Sequence, residues 1–263
     1  MTADGRGGDG KGVDPLLAAR LKAGQNLPKR FYKAATIGAH GDVPHVLLLD
    51  GKPARTPARR LIAFDNPVVA QLVAGEWNAQ GDTIDPATMP ATRLANTAID
   101  GMAQAAGAVR DEIAAYAGSD LVCYRAEAPE LLTTRQGASW DPLLGLARRW
   151  GMPLKAAAGV MHVSQDARSL VQARRMLEPI EGMALAAMHV VTTLSGSFVL
   201  AMALWRGEIE PDAAWEAAHV DEDWQISLWG EDAEAAARRA YRHGEFNAAV
   251  AVILASRPES GAR

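Results

Sequence analysis

Asp221, Glu222 and Asp223 form an uninterrupted acidic triplet in this chain of 263 residues. Clustered carboxylates can hold a metal ion or divide acid and base roles in a hydrolase, here through Asp221 or Asp223. On a helix, however, adjacent side chains point about 100° apart, so the three cannot converge on one atom. Catalysis would need carboxylates from elsewhere. The six histidines (His40, His45, His162, His189, His219, His243) show no metal-ligand spacing. His189 lies in an apolar run and reads as a satisfied core residue. The single cysteine, Cys123, excludes an intrachain disulfide and a Cys-cluster metal site. Within Asp120-Leu121-Val122-Cys123-Tyr124 it reads as a small buried hydrophobe in a reducing compartment. Gly5, Gly10 and Lys11 match most of a phosphate-binding loop, but Gly12 replaces the expected Ser or Thr and no strand precedes it. No nucleophile elbow or dinucleotide fingerprint is present. The expectation is a protein without a catalytic, cofactor or metal site.

The triplet belongs to a longer run, Gly207 to Glu234, with ten carboxylates, no Lys or Arg, and three of the seven tryptophans. Acidic tails with few aromatics are usually disordered. Large rings interleaved with charge suit recognition of another protein. If 211–229 is one helix, Trp215, Glu222, Ile226 and Trp229 share a face, and Ala217, Val220, Trp224 and Leu228 lie opposite. A helix apolar on two sides is sandwiched between neighbours or offers one side to a partner.

An apolar content of 49% can bury a substantial core in one or two domains. A net charge of -4 and a pI near 5.9 argue against nucleic-acid binding. The basic pairs Arg148-Arg149, Arg174-Arg175 and Arg238-Arg239 read as solvated helix faces. Met1 to Gly12 lacks the apolar region of a secretory signal and fits a transit peptide poorly, so a bacterial cytoplasmic location is expected. Gly182 to Trp205 has no charge over 24 residues, long enough to cross a bilayer. Thr-Leu-Ser-Gly-Ser interrupts it, and two buried helices, 180–194 and 197–206, are expected in place of a membrane span.

The elements that must position these residues follow from local pattern. Residues 1–13 read as a disordered tail, and Asp14-Pro15 through Gly24 as a short capped helix. From Phe31 to Phe64 strands are expected, with a hairpin at Asp50-Gly51 and a further β segment at Leu61 to Phe64. Asn66-Pro67 begins a helix reaching Trp77. Pro90 to Ile99 and Ala108 to Tyr116 read as helices, and Asp120 to Tyr124 as a returning strand, with the sheet contained in residues 30–125. Later helices are expected near 140–150, 166–178, 211–228 and 231–254. The whole is α+β: a small domain with an antiparallel sheet and helices over 14–128, then a multi-helical domain over 129–256.

Several segments together resemble the assembly chaperones that bind the α subunit of the ATP synthase F1 head. Phe31-Tyr32-Lys33 opens the resemblance, and Leu49-Asp50-Gly51-Lys52-Pro53-Ala54-Arg55-Thr56-Pro57 is its most recognisable motif. Glu76-Trp77-Asn78-Ala79-Gln80, Asp82-Thr83-Ile84, Met89, Thr92, Asn96-Thr97 and Asp100 continue it. Asp120 to Arg125, Trp140-Asp141-Pro142, the triplet, Trp224-Gln225-Ile226 and Trp229-Gly230 complete it. The match is collinear from Phe31 to the C-terminus, departing from the eukaryotic branch after Gly230, where Ala233 to Ala237 is alanine-rich. The resemblance implies a monomeric, non-enzymatic protein that holds newly made α subunit and covers its β-facing surface, with no nucleotide or metal. It implies partner-binding residues at Asp221, Glu222, Asp223, Trp224, Gln225 and Trp229, and secondarily Glu76 and Trp77. The alternative for Glu76-Trp77 is a packed helix end holding the two domains together.

Overall fold

Asp50 and Gly51 carry φ angles of 48° and 78°, and this turn sets the register of the first sheet. It joins β2 (Val43–Leu49) to β3 (Lys52–Pro53), pairing Leu49 with Lys52. β1 (Ala35–His40) lies antiparallel on the other side of β2, giving the order β1-β2-β3. The Asp50 carboxylate also accepts the backbone N–H groups of Lys33 and Ala34, at 3.0 and 2.9 Å. Those bonds hold it below the usual carboxylate range. The expected β segment at Leu61 to Phe64 joins this sheet only through isolated bridges, Val46 to Ala63 and Arg55 to Leu61.

The computed structural model describes residues 27–159 and 161–257. The expected tail, the helix near 14–24 and the loop-like Gly5 to Gly12 lie outside the described residues. Helix α1 (Pro67–Asn78) starts as expected, with the Asn66 side chain accepting from Val68 and Val69, and packs on β1 and β2. α2 (Pro90–Thr97) passes through one π-helical turn, Ala98–Met102, into α3 (Ala103–Ala115). The two expected helices are thus nearly continuous. Thr56 donates to Asp100 in the π turn at 2.6 Å, tying the loop after β3 to the helices.

Asp120 to Tyr124 is not the expected strand. Leu121–Cys123 is a 3-10 turn, and only β4 (Tyr124–Arg125) is extended. The three-stranded sheet lies within residues 30–125 as expected, while β4 pairs in parallel with β5 (Ala157–Ala158) in a second, two-stranded sheet. The cause is Asp120, fully buried, whose carboxylate accepts from Val122 N at 3.2 Å and from Val199 N at 3.0 Å. A turn satisfies these donors where a strand would carry them apart. An apolar run this short has no period to reveal the difference.

The remaining helices are α4 (Glu130–Arg149), α5 (Ala167–Met176), α6 (Gly182–Ser195), α7 (Phe198–Arg206), α8 (Pro211–Ala218), α9 (Val220–Trp229) and α10 (Ala233–Ser256). Gly196, at φ 69°, separates α6 from α7, and Ser197 caps α7 through Leu200 N. Among the described residues no helix is long and apolar enough to cross a membrane. α10 packs on α6, α7, α1 and α2, and one cluster of buried side chains runs from Tyr32 to Ile253. The basic pairs are partly spent inside the chain: Arg174 meets Asp111 at 2.6 Å, and Arg239 meets Asp223. His189 is half-buried at the core's edge, with Nε2 3.1 Å from Glu112. Cys123 is buried, and desolvation pushes its thiol up to about 12, which leaves it inert as a nucleophile.

Burial raises the Asp120 carboxyl to about 6 despite the hydrogen bonds it accepts. The folded state therefore binds this proton more tightly than the unfolded chain does. The contribution of Asp120 to stability grows as pH falls from 7 through 6 towards 5, and is lost as pH rises again. Urea unfolding should show wild type gaining about 1 kcal/mol relative to Asp120→Asn between pH 7 and pH 5. An unchanged difference would show that Asp120 is not held with a raised pKa.

Candidate partner-binding site

The acidic, tryptophan-rich run forms two helices. α8 ends at Ala218, His219 leaves helical geometry at φ -122° and ψ 19°, and α9 begins at Val220. The single-helix geometry for 211–229 therefore fails, and with it the shared face of Trp215 and Trp229. The break arises because the two segments rest on different supports. Trp215 is buried, its ring 3.8 Å from His219, 4.6 Å from His243 and 5.2 Å from Phe246. His219 Nδ1 lies 2.8 Å from the Trp215 carbonyl, closing α8, and burial lowers its pKa. α9 instead lies on α4.

No residue of α9 is buried, yet its position is defined. Gln136 of α4, 1% exposed, accepts from Ala126 N through its carbonyl and donates to Asp221 Oδ1 at 2.7 Å. Trp140, one turn on, donates its indole N–H to the Ala217 carbonyl at 2.7 Å. Asp223 pairs with Arg239 of α10, and the Arg135 guanidinium sits 5.0 Å from the Trp224 ring centre. Glu222 lies 3.8 Å from His219 Nε2. Each acid of the triplet thus has its own neighbour in a different direction, as helical spacing requires. Among the described residues no group of three or more His, Cys, Asp or Glu is placed to hold a metal ion.

α9 forms a ridge between two open grooves. Tyr124, Glu127, Leu132, Met161, Asp221 and Trp224 are among the residues lining the larger, of about 680 Å³. Glu222, Ile226, Trp229, Asp232 and Arg239 line part of the smaller, of about 260 Å³. Gln225 belongs to both. At the end of the ridge Leu228 is 55% and Trp229 85% exposed. Covering a tryptophan removes about 200 Å² from water, worth about 5 kcal/mol before ordering costs. Isolated exposed apolar residues need no explanation, but an adjacent Leu-Trp pair with Glu222, Glu231 and Asp232 in the groove beside Trp229 has the composition of a binding anchor.

Glu76 and Trp77 lie at the end of α1. The Glu76 carboxylate accepts from Ala91 N at 2.6 Å and from Thr92 N and Oγ1 at 2.7 Å, capping α2. Burial raises its pKa and these bonds oppose the shift. Trp77 packs its ring 5.5 Å from Tyr32, whose hydroxyl donates to the Trp77 carbonyl. Among the described residues no hydrogen bond, ion pair or ring contact joins this pair to α9. Sequence reasoning missed Gln136, Arg135 and Arg239, which hold α9, and Met161, which borders it. The signal for Gln136 was present: it shares the buried helical stripe of Leu132, Trp140 and Leu143, where a polar side chain requires a partner.

The fold is shared with known proteins. It matches the Atu1473 protein of Agrobacterium tumefaciens with a TM-score of 0.83 and 41% identity, covering 93% of this chain and 92% of that one. Atp12 from Paracoccus denitrificans matches with a TM-score of 0.80 and 35% identity, covering 88% of this chain and 99% of that one. A D-to-K mutant of the Paracoccus protein matches with the same TM-score, at 34% identity over 88% and 98% of the two chains. The family model described as ATP12 chaperone protein matches residues 29–148. The chain belongs to the ATP12 chaperone family.

Glu76 and Trp229 should behave oppositely in thermal and urea unfolding. Glu76→Ala strands three donors at the start of α2 and should cost about 1–3 kcal/mol. Trp229→Ala should change stability by less than about 0.5 kcal/mol. A large loss at Trp229 would mean that the ring packs within the protein.

Proposed function

We propose that this protein is an assembly chaperone for ATP synthase. It binds the unassembled α subunit of the F1 head, shields the surface that later meets the β subunit, and leaves as assembly proceeds. It works as a cytoplasmic monomer, without a cofactor and without catalysis. The observation that carries this reading is α9, a helix with no buried residue that bears an exposed Leu-Trp pair, a partly exposed Trp224 and the acidic triplet. An orphan subunit exposes an apolar interface that aggregates in water. A binder for it needs rings to cover that surface and charges to reject wrong partners. The hydrolase reading through Asp221 or Asp223 gains no support, because Gln136 engages one and Arg239 the other.

Light scattering of purified α subunit tests the role. Wild-type protein should suppress aggregation near equal stoichiometry. Trp229→Ala and Glu222→Lys should each raise the concentration needed about tenfold while leaving circular dichroism unchanged. Glu222 is preferred to its neighbours for charge reversal because Asp221 and Asp223 also hold α9 in place. Folded variants with full protection would remove α9 from the binding surface.

A further inference from the structure

The larger groove beside α9 presents a specific combination of charge and apolar surface. Trp224 and Leu132 supply apolar lining, and Met161, 77% exposed, stands at its edge. Glu127 and Asp221 also line it, and among the described residues neither is paired with a cation; Asp221 receives only the neutral amide of Gln136. The arginine in the lining, Arg125, is already committed. Its guanidinium lies 2.9 Å from Asp141, donates to the Val122 carbonyl and covers Trp140 at 4.9 Å. Arg135, stacked on Trp224, is not among the lining residues. The groove is therefore an apolar trough with two carboxylates that are uncompensated among the described residues, walled by α9 on one side and by β4 and the bend that follows it, 124–128, on the other.

We infer that this groove holds an extended segment of the client polypeptide in which a large apolar residue stands beside Lys or Arg. The apolar side chain packs on Trp224 near Met161, and the cation lies between Glu127 and Asp221. The inference rests on the proposed chaperone role and names the chemistry of the segment recognised. Charge complementarity selects it. An acidic segment would meet both carboxylates with like charge, and a purely apolar one would leave them to be desolvated without a partner. An assembly partner that later covers the same apolar-basic segment would displace the chaperone by competition alone, with no energy source.

The test uses full-length protein and purified F1 α subunit, with a photo-crosslinking amino acid placed at Met161 or, separately, at Trp229. Both positions should crosslink to α subunit, and the Met161 product should map to a segment with Lys or Arg next to a large apolar residue. Glu127→Lys should weaken α-subunit binding about tenfold and flatten its salt dependence, because attraction to the groove is lost. Crosslinking from Trp229 but not Met161 would overturn the groove inference and leave the chaperone reading standing. A Met161 product that maps to an acidic segment, or to a second copy of this chain, would overturn it equally. Failure of wild-type protein to bind α subunit at all would overturn both.

Discussion

A helix that buries none of its own residues must be positioned from beneath, and α9 is held by side chains that are themselves buried. Gln136 is fixed between the Ala126 N–H and Asp221. Trp140 pins the Ala217 carbonyl just before the break at His219. The Trp140 bond is buried and the two Gln136 bonds are partly so, and there a lost partner costs more than a surface contact would. The rings of α9 can consequently stay in water without the helix drifting. Exposed apolar surface is tolerable here because its stability cost is met elsewhere in the fold.

The same device recurs in the scaffold. Asp50, Glu76 and Asp120 each direct a carboxylate at backbone N–H groups of another segment: Ala34, Ala91 with Thr92, and Val199. Each bond joins chain segments that local propensity alone would leave independent. Together they tie the hairpin to the chain entering it, α1 to α2, and the turn before β4 to the start of α7. The family motifs around Asp50, Glu76 and Asp120 therefore describe a framework. The segment proposed for recognition is the later one, from Asp221 to Trp229.

Features written in local chemistry were legible in the sequence. Asp-Gly specified the hairpin, Asn-Pro specified the start of α1, and Ser-Gly-Ser divided an apolar run that resembled a membrane span. Features that depend on distant partners were not. Residues 120–124 fold as a turn because their donors and acceptors are satisfied partly by α7. The break at His219 follows from α8 packing on α10's Phe246 and His243 while α9 lies on α4. The two apolar sides expected of a single helix over 211–229 do not exist as such, because the break at His219 turns Trp215 and Trp229 to different surroundings. Trp215 is internal, Trp229 is external, and Trp224 stands between them beneath Arg135.

In the proposed role, ridge, grooves and acidic border form the surface that meets the client's apolar interface and later releases it. Rigid support limits the ordering cost of binding, so modest contact area can suffice. The central claim is that α9 is the surface engaged by the client. Hydrogen–deuterium exchange of the purified protein, alone and with unassembled F1 α subunit, measures this directly. Slower exchange of the amides of Val220–Trp229 and of the adjacent stretch 124–128 in the complex is the predicted result. Unchanged exchange across α9, with protection appearing on a different face, would contradict the account.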